Sequence, residues 1–158
     1  MRPMADGAPP LVLDQVGGNV ALDLFIVTER VGSLLSAALA GTEVSPSQYA
    51  VYSQLMQAPR TPSELSELLG IPRSTLSGYL ATMLRRGDVT RKRSLDDGRS
   101  WLISLSPAGR VRTQECSPRI QRAIRALNSH LGSAAEVLIV RQTLGRIDGA
   151  VRAATSSA

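Results

Sequence analysis

The sequence has 158 residues, of which 43% are hydrophobic and 20% charged, a mixture typical of a folded, helix-rich protein and unlike that of a disordered chain. No apolar run reaches the ~20 residues that a membrane span needs, and the N-terminus lacks the apolar segment of a secretory signal. A single cysteine, Cys116, excludes an internal disulfide and agrees with a reducing compartment. We therefore expect one compact cytoplasmic unit.

The net charge of +5 is unevenly distributed along the chain. The first third is acidic, whereas the basic side chains are concentrated in the remainder. Cations gathered on one surface gain affinity for nucleic acid, because binding releases the counterions of the phosphates. Nucleic acid is therefore the first partner to consider, although a basic composition alone also fits an ordinary solvated surface.

The first predicted element is a long amphipathic helix over residues 14–40, preceded by a flexible arm at 1–13. Apolar residues recur in it at intervals of three or four, beginning with Val16 and Val20. Its acidic residues disfavour contact with DNA. We therefore predict that its apolar face contributes to the core and to a contact between subunits, the latter at Val16 and Val20.

Three short helices with clear boundary signals follow. Ser45 and Gln48 have the spacing of a capping box, in which the two side chains bond each other's backbone amides at a helix start, and so have Thr61 and Glu64. Gly70 supplies the stop between the second and third of these helices. Three helices joined by tight turns are the minimum scaffold that holds one helix in a DNA groove.

The third short helix is the candidate recognition helix. Leu76, Leu80 and Met83 repeat on one face, which predicts that they are buried. Small polar residues at the start of the helix face outward, an arrangement that suits close approach to a groove. The residues predicted to face outward are Ser74, Thr75, Gly78, Ala81, Thr82 and Arg85.

A basic hairpin is predicted after Gly87, where the period changes from that of a helix to alternation. Residues 89–94 have the pattern of an edge strand, and residues 101–105 that of the returning strand. The tip carries Arg99, a residue type that enters narrow minor grooves, with Asp97 placed to brace it. The alternative is that the cations of the hairpin form an ordinary solvated face.

Two further helices are predicted within residues 106–152, ahead of a disordered tail at 153–158. Pro118 should kink or interrupt the first of them. Ser133 and Glu136 form a capping box at the start of the second, whose apolar positions make a narrow seam. The seam is expected to pack against terminal helices of the same subunit or of a second one. The candidate intersubunit residues of this region are Ile124, Val137, Val140, Leu144, Ile147 and Val151.

No catalytic or metal-binding constellation is evident. The sequence has no Gly-rich phosphate loop and no paired carboxylates at helical spacing in a polar pocket. His130, the single histidine, supports neither a nucleophilic dyad nor, with Cys116, a convincing metal site. We therefore expect no enzyme activity, no metal and no cofactor. A lone Cys116 is most simply a small buried hydrophobic residue.

The chain resembles the MarR family of bacterial transcription regulators over about residues 14–152. Asp97-Gly98-Arg99, followed by Leu105-Ser106-Pro107-Ala108-Gly109, is similar to the family's D-x-R and L-T-x-x-G motifs. The phrase ELSELLGIPRSTLSGYLATMLRRGDVTR is similar to the family's leucine-glycine stop, polar helix start and arginine-glycine lead into the wing. Departures from the family pattern are Pro72 where a capping Ser is expected, Gly78 where many relatives have a larger reader, Asp88 in place of an apolar residue, and Pro118.

The resemblance implies a mainly α fold with a small β-hairpin wing, a winged helix-turn-helix at residues 45–105, with N- and C-terminal dimerisation helices. It further implies a homodimeric repressor that binds a palindromic double-stranded DNA operator and is released by a small phenolic or amphipathic effector, whose site is unknown. The alternative is a winged-helix module for protein contact, or a dimer that has lost operator binding. The residues to which the resemblance assigns DNA contact are Thr61, Ser63, Arg73, Ser74, Thr75, Ser77, Gly78, Arg91, Lys92, Arg93, Asp97 and Arg99.

Overall fold

The computed structural model describes residues 19–93 and 101–157. Within them the chain is mainly helical with one antiparallel hairpin, which confirms the predicted fold class. The predicted arm at 1–13, Val16, Asp97 and Arg99 lie outside the described residues. The elements in chain order are α1 (Val20–Ala38), α2 (Pro46–Gln57), α3 (Pro62–Leu69), α4 (Arg73–Arg85), β1 (Val89–Arg93), β2 (Trp101–Leu105), α5 (Pro107–Leu131) and α6 (Ala134–Ser156).

The helix boundaries that were predicted from capping residues and from Gly70 are confirmed. The capping boxes of Ser45 with Gln48 and of Thr61 with Glu64 are both formed. Gly70 ends α3 in the left-handed region at φ 63°, a conformation that glycine adopts without the clash of a Cβ. A side chain at that position would therefore strain the turn that connects α3 to α4.

The extent of two predicted helices differs from the structure. Asn19 caps α1 by accepting a hydrogen bond from the backbone N–H of Leu22, so this helix begins at Val20, later than predicted; the predicted helical residues 14–18 lie outside the described residues. Pro118 lies inside a continuous α5, and the predicted interruption is wrong. Buried residues on both sides of the proline hold α5 against the core, which offsets the lost backbone hydrogen bond.

The predicted disordered tail is helical as far as Ser156. Arg152 forms an ion pair with Asp148 one turn earlier, with Nε and Oδ2 2.8 Å apart. Hydroxyls in the last turns donate back to carbonyl oxygens of the preceding turn, among them that of Thr155 to Val151. These contacts extend α6 beyond the predicted end of the C-terminal region at residue 152.

The core lies between α2, α3, α4, α5 and the hairpin. The candidate recognition helix α4 buries Leu76, Leu80 and Met83, as its spacing predicted. Strand β2 pairs with β1 and also with Arg60, the residue before the N-cap of α3. Ile103 donates its backbone N–H to the carbonyl of Arg60 at 2.8 Å and accepts from the Arg60 N–H at 3.0 Å. The hairpin is therefore fixed to the start of the helix-turn-helix.

The terminal helices differ from this unit in their exposure. Neither α1 nor α6 has a buried residue, although both carry large apolar side chains. Phe25 of α1 is 63% exposed and Leu144 of α6 is 49% exposed. Through residues 19–93 and 101–157, no helix has the length and apolar character required to cross a membrane.

Candidate nucleic-acid interface

The start of α4 is open to an incoming ligand. Pro72 occupies the N-cap position and has no side chain that accepts a hydrogen bond, as the sequence indicated. The first-turn amides therefore lack a side-chain acceptor, and the positive end of the helix dipole points outward. The predicted contact residues in the first two turns of α4 are all exposed, which places hydroxyls and a cation near the N-terminus of the helix. They are Arg73, Ser74, Thr75, Ser77 and Gly78.

A cleft of about 420 Å³ separates α3, α4 and the hairpin. Four of the predicted DNA-contact residues line it, and they come from three different elements: Ser63, Arg73, Ser77 and Arg91. The remaining predicted residues of α4 are exposed beside the cleft and do not line it. Folding thus brings together polar side chains as far apart in the sequence as Ser63 and Arg91.

The strands of the wing place two arginines over one aromatic ring. Arg93 pairs with Trp101 across the hairpin, and Arg91 pairs with Ile103, so these four side chains share one face. The guanidinium carbon of Arg91 lies 4.7 Å from the centroid of the Trp101 ring, and that of Arg93 lies 4.6 Å from it. Lys92 alternates to the other face and is exposed. The sequence alone did not identify the role of Trp101.

The hydroxyl of Thr61 is already in use. It donates to Oε2 of Glu64 at 2.9 Å and accepts from the Glu64 backbone N–H at 3.2 Å. The hydrogen bonds from the Thr61 backbone and hydroxyl hold the pKa of Glu64 below its usual value. An ionised carboxylate therefore occupies the N-terminus of α3, and a phosphate at Thr61 would have to displace it. Ser63, two residues later, is exposed.

A buried ionic network underlies the wing, and sequence reasoning missed it. Asp88, between α4 and β1, is completely buried. Its Oδ2 accepts a 2.6 Å hydrogen bond from the Tyr52 hydroxyl, and its Oδ1 lies 3.0 Å from Nε of Arg112. The hydrogen bond from Arg112 to Asp88 raises the pKa of that guanidinium. The network joins α2, the base of the wing and α5.

Glycine at position 109 lets α5 approach this junction closely. A Cβ at Gly109 would overlap the carbonyl oxygen of Asp88 and lie 3.1 Å from Cδ2 of Leu105. Ser106 forms two hydrogen bonds at this junction. Its hydroxyl donates to the carbonyl oxygen of Gly87 at 2.6 Å, and its backbone N–H donates to the carbonyl oxygen of Asp88 at 3.0 Å. Ser106 therefore links the start of α5 to the residues that lead into β1 through both its side-chain hydroxyl and its backbone N–H.

Tyr52 should make the unfolding free energy sensitive to alkaline pH. Burial, followed by the hydrogen bond to Asp88, raises the pKa of Tyr52 well above its ordinary value of 10.0. Because the folded-state value is the higher one, this stabilising term is complete below about pH 10 and is lost as the pH rises further. Chemical denaturation followed by circular dichroism between pH 8 and 11.5 should show this loss.

Tyr52→Phe is the matched variant for that measurement. It should be less stable at neutral pH by about 1.5–3 kcal/mol, because a hydrogen bond to a charged group is removed. Its stability should then fall less steeply above about pH 10 than that of the wild type. Parallel curves for the two proteins would show that Tyr52 does not contribute to alkaline unfolding.

A second cavity lies between α1, α2 and α5. It has a volume of about 270 Å³ and is lined mostly by apolar residues, with Tyr49 and Ser53 also among the lining residues. Leu34 of α1 and Ile120 of α5 form opposite parts of its lining. An apolar cleft with a few polar groups is the usual form of a small-molecule site.

Comparison with known proteins identifies similar sequences. Residues 42–100 match the model of the MarR family. The HTH-type transcriptional repressor YetL of Bacillus subtilis (strain 168) is 25% identical over 100 residues, which make up 61% of this chain and 60% of that protein. The match therefore spans about three fifths of the length of this curated relative.

Two solved structures have the same fold. A probable transcriptional regulator from Pseudomonas aeruginosa superimposes with a TM-score of 0.71 at 26% identity, over 82% of this chain and 96% of that one. The transcriptional repressor CouR, in a structure with a 23-mer DNA duplex, gives a TM-score of 0.75 at 22% identity, over 89% and 99% of the two chains. At 22% identity, the similarity to CouR shows a shared fold and nothing about function.

Proposed function

We propose that this chain, whose residues 42–100 match the model of the MarR family, is a sequence-specific, double-stranded DNA-binding transcription regulator. The observation that carries this proposal is the convergence of Ser63, Arg73, Ser77 and Arg91 on one exposed cleft beside an uncapped helix start. Hydroxyls, amides and guanidinium groups are the donors that proteins use on phosphates and base edges.

In this proposal α4 enters the major groove and the wing follows the phosphate backbone. The small residues around Gly78 permit close approach, so Ser74, Thr75 and Ser77 reach base edges or phosphates with short side chains. Because few long side chains are available on this face, specificity also depends on the shape of the DNA. Arg91, Lys92 and Arg93 would lie along phosphates.

We propose that the regulator is a homodimer joined by its terminal helices. The support is the apolar surface that α1, α5 and α6 leave exposed in the single chain, with Val20 61%, Leu144 49% and Val151 55% exposed. Surfaces of this kind mark protein contacts. The proposed interface on α5 and α6 comprises Ile124, Val137, Val140, Leu144, Ile147 and Val151.

A two-fold dimer presents two copies of α4 to the same face of a duplex. The operator should therefore be palindromic, with half-sites about one helical turn, or ~10 bp, apart. Repression would follow from occupancy of a promoter, and the protein would act in the cytoplasm, where that DNA is accessible. We propose that a small phenolic or amphipathic effector in the cavity beside Tyr49 and Ser53 alters this occupancy.

Fluorescence anisotropy tests the proposed function. Labelled DNA from upstream of the gene should bind more tightly than a scrambled duplex of the same length at ~150 mM salt. Equal affinity for both duplexes would favour the alternative, a winged-helix module for protein contact or a dimer without an operator.

Arg99 provides a specific prediction for the wing tip. Arg99→Ala should weaken operator binding by about tenfold, because we propose that Arg99 enters the minor groove, and it should leave the mass measured by light scattering unchanged. Arg146→Ala, which removes the same charge from an exposed position on α6, is the control and should leave operator affinity nearly unchanged. If the two variants bind equally well, the wing tip has no special role.

A further inference from the structure

We propose that Trp101 is a positioning residue for the DNA contacts of the wing, and that it acts by holding the guanidinium groups of Arg91 and Arg93 over its ring. This inference rests on the proposed DNA-binding function. Trp101 lies between the D-x-R and L-T-x-x-G motifs of the wing and belongs to neither of them.

The geometry places both cations within the range of a cation–π interaction. The two guanidinium carbons lie 4.7 and 4.6 Å from the ring centroid, inside the limit of ~6 Å within which the negative face of an indole attracts a cation. The strand register enforces the arrangement, since Arg93 is directly opposite Trp101 and Arg91 is its diagonal neighbour on the same face. A shift of one residue would separate the three side chains.

The ring is anchored while the cations are exposed. Trp101 is half-buried and packs against the hydrophobic core, and it forms part of the cleft wall with Ser77 and Arg73. Arg91 and Arg93 are exposed beside it. A fixed aromatic surface thus carries two positive charges next to the start of the recognition helix.

This arrangement reduces the entropic cost of binding DNA. A free arginine has many rotamers, and ordering one at an interface costs about 0.5–1.5 kcal/mol. Arginines that are already held over a ring lose less freedom when they meet a phosphate. The planar guanidinium is suited to both partners, because it stacks on an aromatic face while its edge donates hydrogen bonds.

The test compares Trp101→Leu with Trp101→Phe by anisotropy on the upstream duplex. Leucine keeps an apolar side chain against the core but has no π face, so affinity should fall about fivefold or more. Phenylalanine keeps a ring, and the loss should be smaller. Unfolding by denaturant, followed by circular dichroism, verifies that both variants are folded at the assay temperature. If leucine and phenylalanine cause the same loss, or no loss, the proposal is wrong.

A double-mutant comparison separates positioning from a general effect on the hairpin. In an Arg91→Ala/Arg93→Ala background, Trp101→Leu should cause no further loss of affinity, because the groups it positions are absent. Additive losses would overturn the proposal. An absence of sequence preference in the wild-type protein would instead refute the proposed function, so the two failures are distinguishable.

The fluorescence emission of the protein provides a second test, because Trp101 is the single tryptophan of the chain. Its emission should change when the wild-type protein binds the upstream duplex, because the cations over the ring engage phosphates. In Arg91→Ala/Arg93→Ala the emission of the free protein should already differ from that of the wild type. Identical free-state spectra in these two proteins would contradict the proposed contact.

Discussion

Arg112→Leu should destabilise the folded chain by about 3 kcal/mol. The substitution leaves the carboxylate of Asp88, which is 0% exposed, with the Tyr52 hydroxyl as its remaining side-chain partner within the described residues. Removing one member of a buried ion pair costs about 3–5 kcal/mol, and the lower end applies because the Arg112 side chain is 29% exposed and water can partly replace it. Urea denaturation at pH 7 measures the difference.

Two further variants give this prediction its controls. Arg110→Leu, at an exposed position of the same helix, should change the free energy of unfolding by no more than about 0.5 kcal/mol. Combining Arg112→Leu with Asp88→Leu and Tyr52→Phe should recover most of the lost stability, because a buried ionic network replaced by apolar residues is often as stable. Equal stability of the Arg112 and Arg110 variants would show that the ion pair contributes nothing.

Leu144→Glu should both separate the proposed dimer and weaken operator binding by about 100-fold or more. Two linked recognition units bind with an avidity that exceeds the affinity of one unit by a factor of roughly 10²–10⁴. A carboxylate in the middle of an apolar interface carries a desolvation cost that packing cannot offset. Light scattering should report the mass of one chain, and anisotropy should report the loss of affinity.

The matched control for this variant is Gln142→Glu. It introduces the same charge two residues earlier, on the opposite side of α6 because successive helical residues are 100° apart. This variant should remain dimeric and bind the operator as the wild type does. If Leu144→Glu also remained dimeric with unchanged affinity, the seam of α6 would not be the subunit interface.

Local signals explain which features of the fold could be predicted from the sequence. A capping box such as that of Thr61 and Glu64 involves groups three residues apart, so the pattern is visible without knowledge of tertiary structure. The buried face of α4 was predictable for the same reason. The interruption predicted at Pro118 is wrong because the packing of α5 on both sides outweighs the local preference of proline.

In the candidate site, too, the features set by neighbouring residues could be predicted, whereas the contacts between distant residues could not. The exposed polar start of α4 follows from its periodicity, whereas the partners of Asp88 lie 36 and 24 positions away in the sequence and become evident only after folding. The contact of Trp101 with Arg91 and Arg93 likewise depends on the register of the hairpin, which alternation of residues does not fix.

Hydroxyl-radical footprinting of the DNA upstream of the gene tests the central claim most directly. A dimer that places two copies of α4 in successive major grooves should protect two stretches on one face of the duplex. They should be related by a dyad, and their centres should lie about 10 bp apart. A single protected stretch, or protection no stronger than on a scrambled duplex, would contradict the proposed mode of operator recognition.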